Sequence, residues 1–164
     1  MHSPVTAKSM HQHRVEQFME RAGQEVPVTP SIPASSVLGL RAKLILEECM
    51  ETIEALGFIV QMSEVDHPTE GKKVVFALEY TGVTNIIEVV DGCCDIKVVT
   101  TGTLSALGIP DLRAQELIDD ANLRKFGPGG YRRDDGKWIK PPTWVKPDLP
   151  HLLFTQGCDP KLLG

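Results

Sequence analysis

Apolar positions recur at helical spacing in several stretches of the chain. Between Gln12 and Ala22, the placement of Val15, Phe18 and Met19 predicts a short amphipathic helix that buries these three, with Gly23 stopping it. Residues 1 to about 10 lack this period and read as a mobile tail. Pro27, Pro30 and Pro33 form a connector that cannot continue a helix. A second helix is predicted from about Ser36 to Gln61, with Ser35 and Ser36 as N-cap candidates and Gly57 as a weak point near its end. A third is predicted from about Asn85 to Leu107, ended by Gly108. Pro110 then opens a fourth, which runs through about Phe126 and closes at Gly127 and Pro128.

Two stretches break the helical pattern. The run from Lys72 to Gly82 within residues 63–84 is rich in strand formers and reads as a short strand in an excursion between helices, although Val74 to Tyr80 also fits a helix. After Gly129, prolines and glycines are too frequent for long regular elements. Asp134-Asp135-Gly136 is a turn signal, so Tyr131 to Lys140 is expected to form a small hairpin, with extended chain wrapping the body beyond it. Three or four core helices with irregular additions bury little core alone, which makes a dimer the expectation.

Composition changes this picture little. The chain has 164 residues, 41% hydrophobic and 24% charged, as an ordinary globular domain has. Its net charge of −5 argues against a general nucleic-acid or anionic-membrane binder. No apolar run approaches the ~20 residues of a bilayer span, and the N-terminus has no apolar core of a secretory signal. Cys49, Cys93, Cys94 and Cys158 form no C-x-x-C pair and read as buried or free thiols of a reducing cytoplasm.

The chemistry lies in two acidic clusters. Glu47, Glu51 and Glu54 fall within about 60° of one another on the second helix, with Glu48 flanking them. Glu88, Asp91 and Asp95 form a similar stripe on the third. Acidic residues at this spacing are usually a solvated face. The second cluster differs, because Ile86, Ile87, Val89, Val90, Ile96, Val98 and Val99 surround it. A helix apolar almost all round is expected to be buried, and three like charges there would cost several kcal/mol per ion unless compensated. Divalent cations, protonation or basic partners could compensate.

Histidines stand only at positions 2, 11, 13, 67 and 151, none beside the acidic clusters. The single Glu-x-x-His match, Glu64 to His67, runs into Pro68, unlike the helical pairs of di-iron bundles. Oxygen-only ligation suits hard cations, magnesium first and manganese second. Such ions serve phosphoryl chemistry, and a spare carboxylate (Glu47 or Glu48) could orient or deprotonate water. Lys125, Arg132, Arg133, Lys137 and Lys140 lie close in sequence and could hold phosphates, or be a solvated basic loop. Trp138 and Trp144 could stack on a base or anchor the C-terminal wrap.

The spacing Glu47-Glu48-x-x-Glu51 followed by Glu88-x-x-Asp91 resembles the EExxE…ExxD signature of MazG-like nucleotide pyrophosphohydrolases, relatives of the dimeric dUTPases. Leu40-Arg41-x-x-Leu44, Asp91-Gly92-x-x-Asp95, Gly102-Thr103-x-x-Ala106-Leu107-Gly108 and Asn122-Leu123-x-Lys125-Phe126 extend the resemblance, as does the segment from Asp135 to Trp144. Together these span about residues 15 to 149. The gap from Thr52 to Ile87 is longer than usual in this family, and the surplus reads as an insertion within residues 63–84.

The resemblance implies an all-α fold: a helical bundle of the MazG-like type with short irregular or β-hairpin additions. It implies a single domain over residues 1–164, with its core at about 12–126 and an extended C-terminal wrap at 127–164. It further implies hydrolysis of a nucleoside triphosphate, for instance a dNTP such as dUTP, to the monophosphate and pyrophosphate. Glu48, Glu51, Glu88 and Asp91 would hold Mg2+, with Mn2+ the second choice. Glu47 would bind a further ion or position the attacking water, unless it exchanges roles with Glu48. Asn122 and Lys125 would face the nucleotide, and Arg133, Lys137, Lys140 and Trp144 are the further substrate-binding candidates. The expected assembly is a homodimer, with a tetramer as the alternative. Two other readings stand beside the enzyme: a non-catalytic helical module binding nucleotide or metal, and an interaction protein whose acidic stripes pair with a partner's Arg or Lys.

Overall fold

A computed structural model describes residues 3–67 and 71–163 of the chain. It contains α1 (Met10–Arg21), α2 (Ser35–Ala55), β1 (Phe58–His67), β2 (Gly71–Tyr80), α3 (Ile86–Ala106), α4 (Asp111–Leu123), β3 (Tyr131–Arg132), β4 (Trp138–Ile139) and α5 (Leu149–Thr155). β1 pairs antiparallel with β2, and β3 with β4. This mixed α/β content corrects the all-α reading. The long hairpin exists because Gly57, at φ 89°, turns the chain out of α2 well before Gln61. Residues 58–61, assigned to the helix by their sequence, therefore begin a strand that gives Val74–Tyr80 its partner. Residues 68–70 of the proposed insertion lie outside the described residues.

The chain forms two compact units: unit 1 (Met1–Pro33 and Thr101–Gly164) and unit 2 (Ala34–Thr100). In unit 1 the core of α1 is partly polar. Val15 and Met19 are buried as expected, but Phe18 is 65% exposed, and Gln12 and Glu16 take the inner face instead. Gln12 is wholly buried and fully used. Its Nε2 donates to Ser105 Oγ (3.1 Å) and Ile109 O (2.9 Å), while its Oε1 accepts from Asp111 N (2.8 Å). Ser105 Oγ in turn donates to Glu16 Oε1 (3.1 Å), which Lys8 neutralises (2.8 Å). Gln12→Leu keeps the volume but strands a buried N–H and two acceptors. We expect it to lose about 2 kcal/mol in urea unfolding, several times a typical surface substitution.

The N-terminal segment is not the loose tail its composition suggests, as far as it is described. Ser9 caps α1 by accepting from Gln12 N, and donates its hydroxyl to Asp111 (2.6 Å). Ser3 donates to Glu116, which with Arg113 lowers that carboxyl's pKa, and Val5 O accepts from Gln156 Nε2 (2.7 Å). α5 was not anticipated. Asp148 caps it through His151 N, and Pro150 opens its first turn, where the missing N–H costs nothing. By contrast, Ser35 and Ser36 do not cap α2, whose N-cap is Ala34 without a side-chain bond.

Unit 2 holds α2, the long hairpin and most of α3. Its apolar surface is poorly covered by the chain itself. Ile86 and Ile87 are each 74% exposed, and Val90 and Leu46 are exposed as well. The buried-helix expectation for α3 therefore fails in its N-terminal half; burial begins toward Val99 and Ala106. Among the described residues, no helix is long and apolar enough to cross a membrane.

Candidate functional site

The acidic residues of the two clusters all lie in unit 2, and one close contact brings their helices together. A Cβ on Gly92 would stand 2.3 Å from Thr52 Oγ1 and 3.3 Å from Thr52 Cα, so α3 presses its bare backbone against α2 at that point. Thr52 is buried and folds its hydroxyl back onto Glu48 O (2.7 Å), which keeps the side chain flat against its own helix. Thr52 follows Glu51 and Gly92 follows Asp91. The contact therefore sets the two acidic segments side by side. Neither residue has a role in the acidic motif. A glycine inside an otherwise helical run, between Asp91 and Cys93, is the signal the sequence offers.

The electrostatics agree with this placement. The half-buried Glu48 carboxyl has its pKa raised, first by desolvation, then by the charges of Asp95, Glu51, Glu47 and Asp91. Glu48 thus feels carboxylates from both helices. Glu47 faces a cation instead: its Oε1 lies 3.4 Å from Lys43 Nζ, in an exposed pair one helical turn away. Among the described residues, Glu48, Glu51, Glu88, Asp91 and Asp95 form no salt bridge. A cleft of ≈ 390 Å³ is lined by Glu51 and Glu54 of α2, by Val83 and Asn85, and by Glu88 of α3. A second, of ≈ 310 Å³, lies where Met50, Glu51 and Glu54 meet Phe58, Ile59 and Val60.

Glu88 and Asp91 are exposed within one chain, so the desolvation cost expected for a buried α3 is not incurred there. The carboxylates also stand apart, as like charges do. Among the described residues, no three His, Cys, Asp or Glu side chains are drawn close enough to hold an ion. The donor set itself fits a hard cation: it is oxygen only, and negative charge from both helices reaches Glu48. The four cysteines are free, and Cys93 and Cys94 are exposed on α3.

No protein-family model matches the chain, and no curated protein matches it either.

The basic candidates belong to unit 1. Lys125 Nζ donates to Asn122 Oδ1 (2.8 Å) and lies 5.9 Å from the Trp144 ring centre, over which Lys140 Nζ sits at 4.0 Å. Asn122, Lys125, Lys140 and Trp144 are thus one cluster. Both tryptophans are also anchors: Trp144 Nε1 donates to Ala121 O (2.7 Å), and Trp138 Nε1 to Lys125 O. Arg133 is committed to Asp135 in the β3–β4 turn, and Lys137 is exposed with its backbone N–H on the same aspartate. Among the described residues, no hydrogen bond or salt bridge joins either to the Trp144 cluster.

Proposed function

We propose that this chain is a metal-dependent nucleoside-triphosphate pyrophosphohydrolase of the MazG-like kind. The observation that carries the reading is the Gly92–Thr52 contact between α2 and α3, beside which the charges of carboxylates on both helices reach Glu48. Glu48, Glu51, Glu88 and Asp91 would hold Mg2+, or Mn2+ as second choice. When bound, such ions neutralise the triphosphate and polarise the phosphorus under attack. Glu47, turned toward Lys43 and more exposed than its neighbour, is assigned to the attacking water, whose proton it accepts. Water adds across the α–β phosphate linkage and pyrophosphate leaves, yielding the nucleoside monophosphate. Asn122, Lys125 and Lys140 supply donors suited to phosphate oxygens, and Trp144 offers a ring face to a base. Arg133 and Lys137 are the further candidates for holding the phosphates. The substrate is a nucleotide, for instance a dNTP such as dUTP. The protein works in the cytoplasm as a homodimer or a tetramer, a placement supported by its free thiols and its exposed apolar side chains.

The test is a panel of NTPs and dNTPs incubated with Mg2+ or with chelator, with products separated by chromatography. Monophosphate and pyrophosphate, formed only with metal, are expected. Release of single phosphates would replace the reaction with another phosphatase chemistry. Tight nucleotide and Mg2+ binding without turnover would leave a non-catalytic nucleotide- and metal-binding module.

A further inference from the structure

The β1–β2 hairpin sorts its side chains into two unlike faces. Residues paired across an antiparallel ribbon share a face, so Phe58 and Tyr80, Val60 and Leu78, Met62 and Phe76, and Glu64 and Val74 lie together. The Phe58 and Tyr80 rings, with centres 5.1 Å apart, mark this side. The other face carries Ile59, Gln61, Ser63, Val75, Ala77 and Glu79, and Gln61 Nε2 donates to Glu79 across it. One face is thus almost wholly apolar, and the other mixed and hydrogen-bonded. Only the base of the hairpin leans on α2, through Phe58 and Val60 near Met50. Farther out, Met62 (62%), Phe76 (61%), Leu78 (59%) and Tyr80 (58%) are exposed, as is Val74.

We infer that this face is an assembly surface covered by a second copy of the chain. The inference rests on the oligomeric part of the proposed function and not on its chemistry. Area is the first argument. At roughly 100 Å² exposed per side chain, Met62, Val74, Phe76, Leu78 and Tyr80 present on the order of 500 Å², near the upper limit for a patch on a monomer. Two copies meeting through this face would together bury on the order of 1,000 Å², the area a specific interface needs. Stability is the second argument. A lone two-stranded hairpin is marginal in water, so a ten-residue ribbon needs a cover whenever the chain is folded. A second copy is present at the chain's own concentration.

The experiment is light scattering after size exclusion on the full chain at tens of micromolar. It compares wild type, Phe76→Asp on the apolar face and Gln61→Lys on the other, with far-UV circular dichroism of each. The expected result is an oligomeric wild type, loss of at least half the assembled mass in Phe76→Asp, and no change in Gln61→Lys. If Phe76→Asp does not fold, a photo-crosslinking residue at Leu78 of the otherwise native chain must join two copies. A monomeric wild type overturns the inference together with the oligomeric reading, and so does a monomer that floats with phosphatidylcholine vesicles. An oligomer that survives Phe76→Asp, or yields no crosslink from Leu78, overturns the hairpin assignment alone.

Discussion

Glu51→Gln and Asp91→Asn should each lower the metal-dependent release of pyrophosphate by about 100- to 1000-fold, the scale for removing one preorganised electrostatic group from a reaction site. Glu51 lines both clefts of unit 2, and Asp91 adjoins the glycine that seats α3 on α2. Both also raise the Glu48 pKa. Two thermal measurements separate this loss from misfolding. In chelator, each variant should melt no lower than wild type, because a carboxylate has left a crowded negative cluster. With Mg2+ at 100 times its Kd, wild type should gain about 2.7 kcal/mol, and the variants much less. Variants that keep full activity would remove these residues from the site. Variants that lose activity and also melt early in chelator would show a structural role instead.

Gly92→Leu should cost about 3 kcal/mol in unfolding free energy and more than tenfold in activity, because the new side chain has no volume to enter. The clash is with Thr52 Oγ1 at 2.3 Å, but Thr52 Cβ and Cα also stand within 3.1 and 3.3 Å. The helix gains some propensity when glycine is replaced, about 1 kcal/mol, so overlap must exceed that gain for any loss to appear. A double-mutant cycle of Gly92→Ala with Thr52→Ala isolates the contact. Removing the hydroxyl should recover about 1 kcal/mol of the Gly92→Ala loss, and the coupling should vanish if the helices do not meet there.

The parts of this architecture that were legible in the sequence are those fixed by local chemistry. Gly23 and Gly108 adopt positive φ at the helix ends where they were expected, and the turn at Asp134–Gly136 joins β3 to β4. The boundaries of α1, α3 and α4 follow closely from period and punctuation. What was misread depends on distant partners. Phe18 fits the apolar stripe of α1, yet Gln12 and Glu16 are buried there because Ser105, Ile109 and Asp111 supply the bonds that satisfy them. Residues 58–61 fit a helix until Leu78 and Tyr80 claim them as strand partners. The apolar wrap of α3 was read as burial, but periodicity records that a surface needs covering and not which chain covers it. The acidic spacing picked out carboxylates whose charges reach Glu48 from both helices; the glycine and threonine that seat those helices were hidden inside an ordinary helical pattern.

Unit 1 is discontinuous, and this sets the order in which a newly made chain can be completed. Gln12 meets Ser105 only after 93 further residues have been joined. At ~5–20 residues per second, α1 therefore waits roughly 5 to 20 seconds on the ribosome with its bonding groups open. The intervening residues of unit 2 can reach their own contacts during that interval. A chain released before Asp111 would lack partners that satisfy Gln12 and Ser9, so the N-terminal segment gains its seat only once the start of α4 has been made.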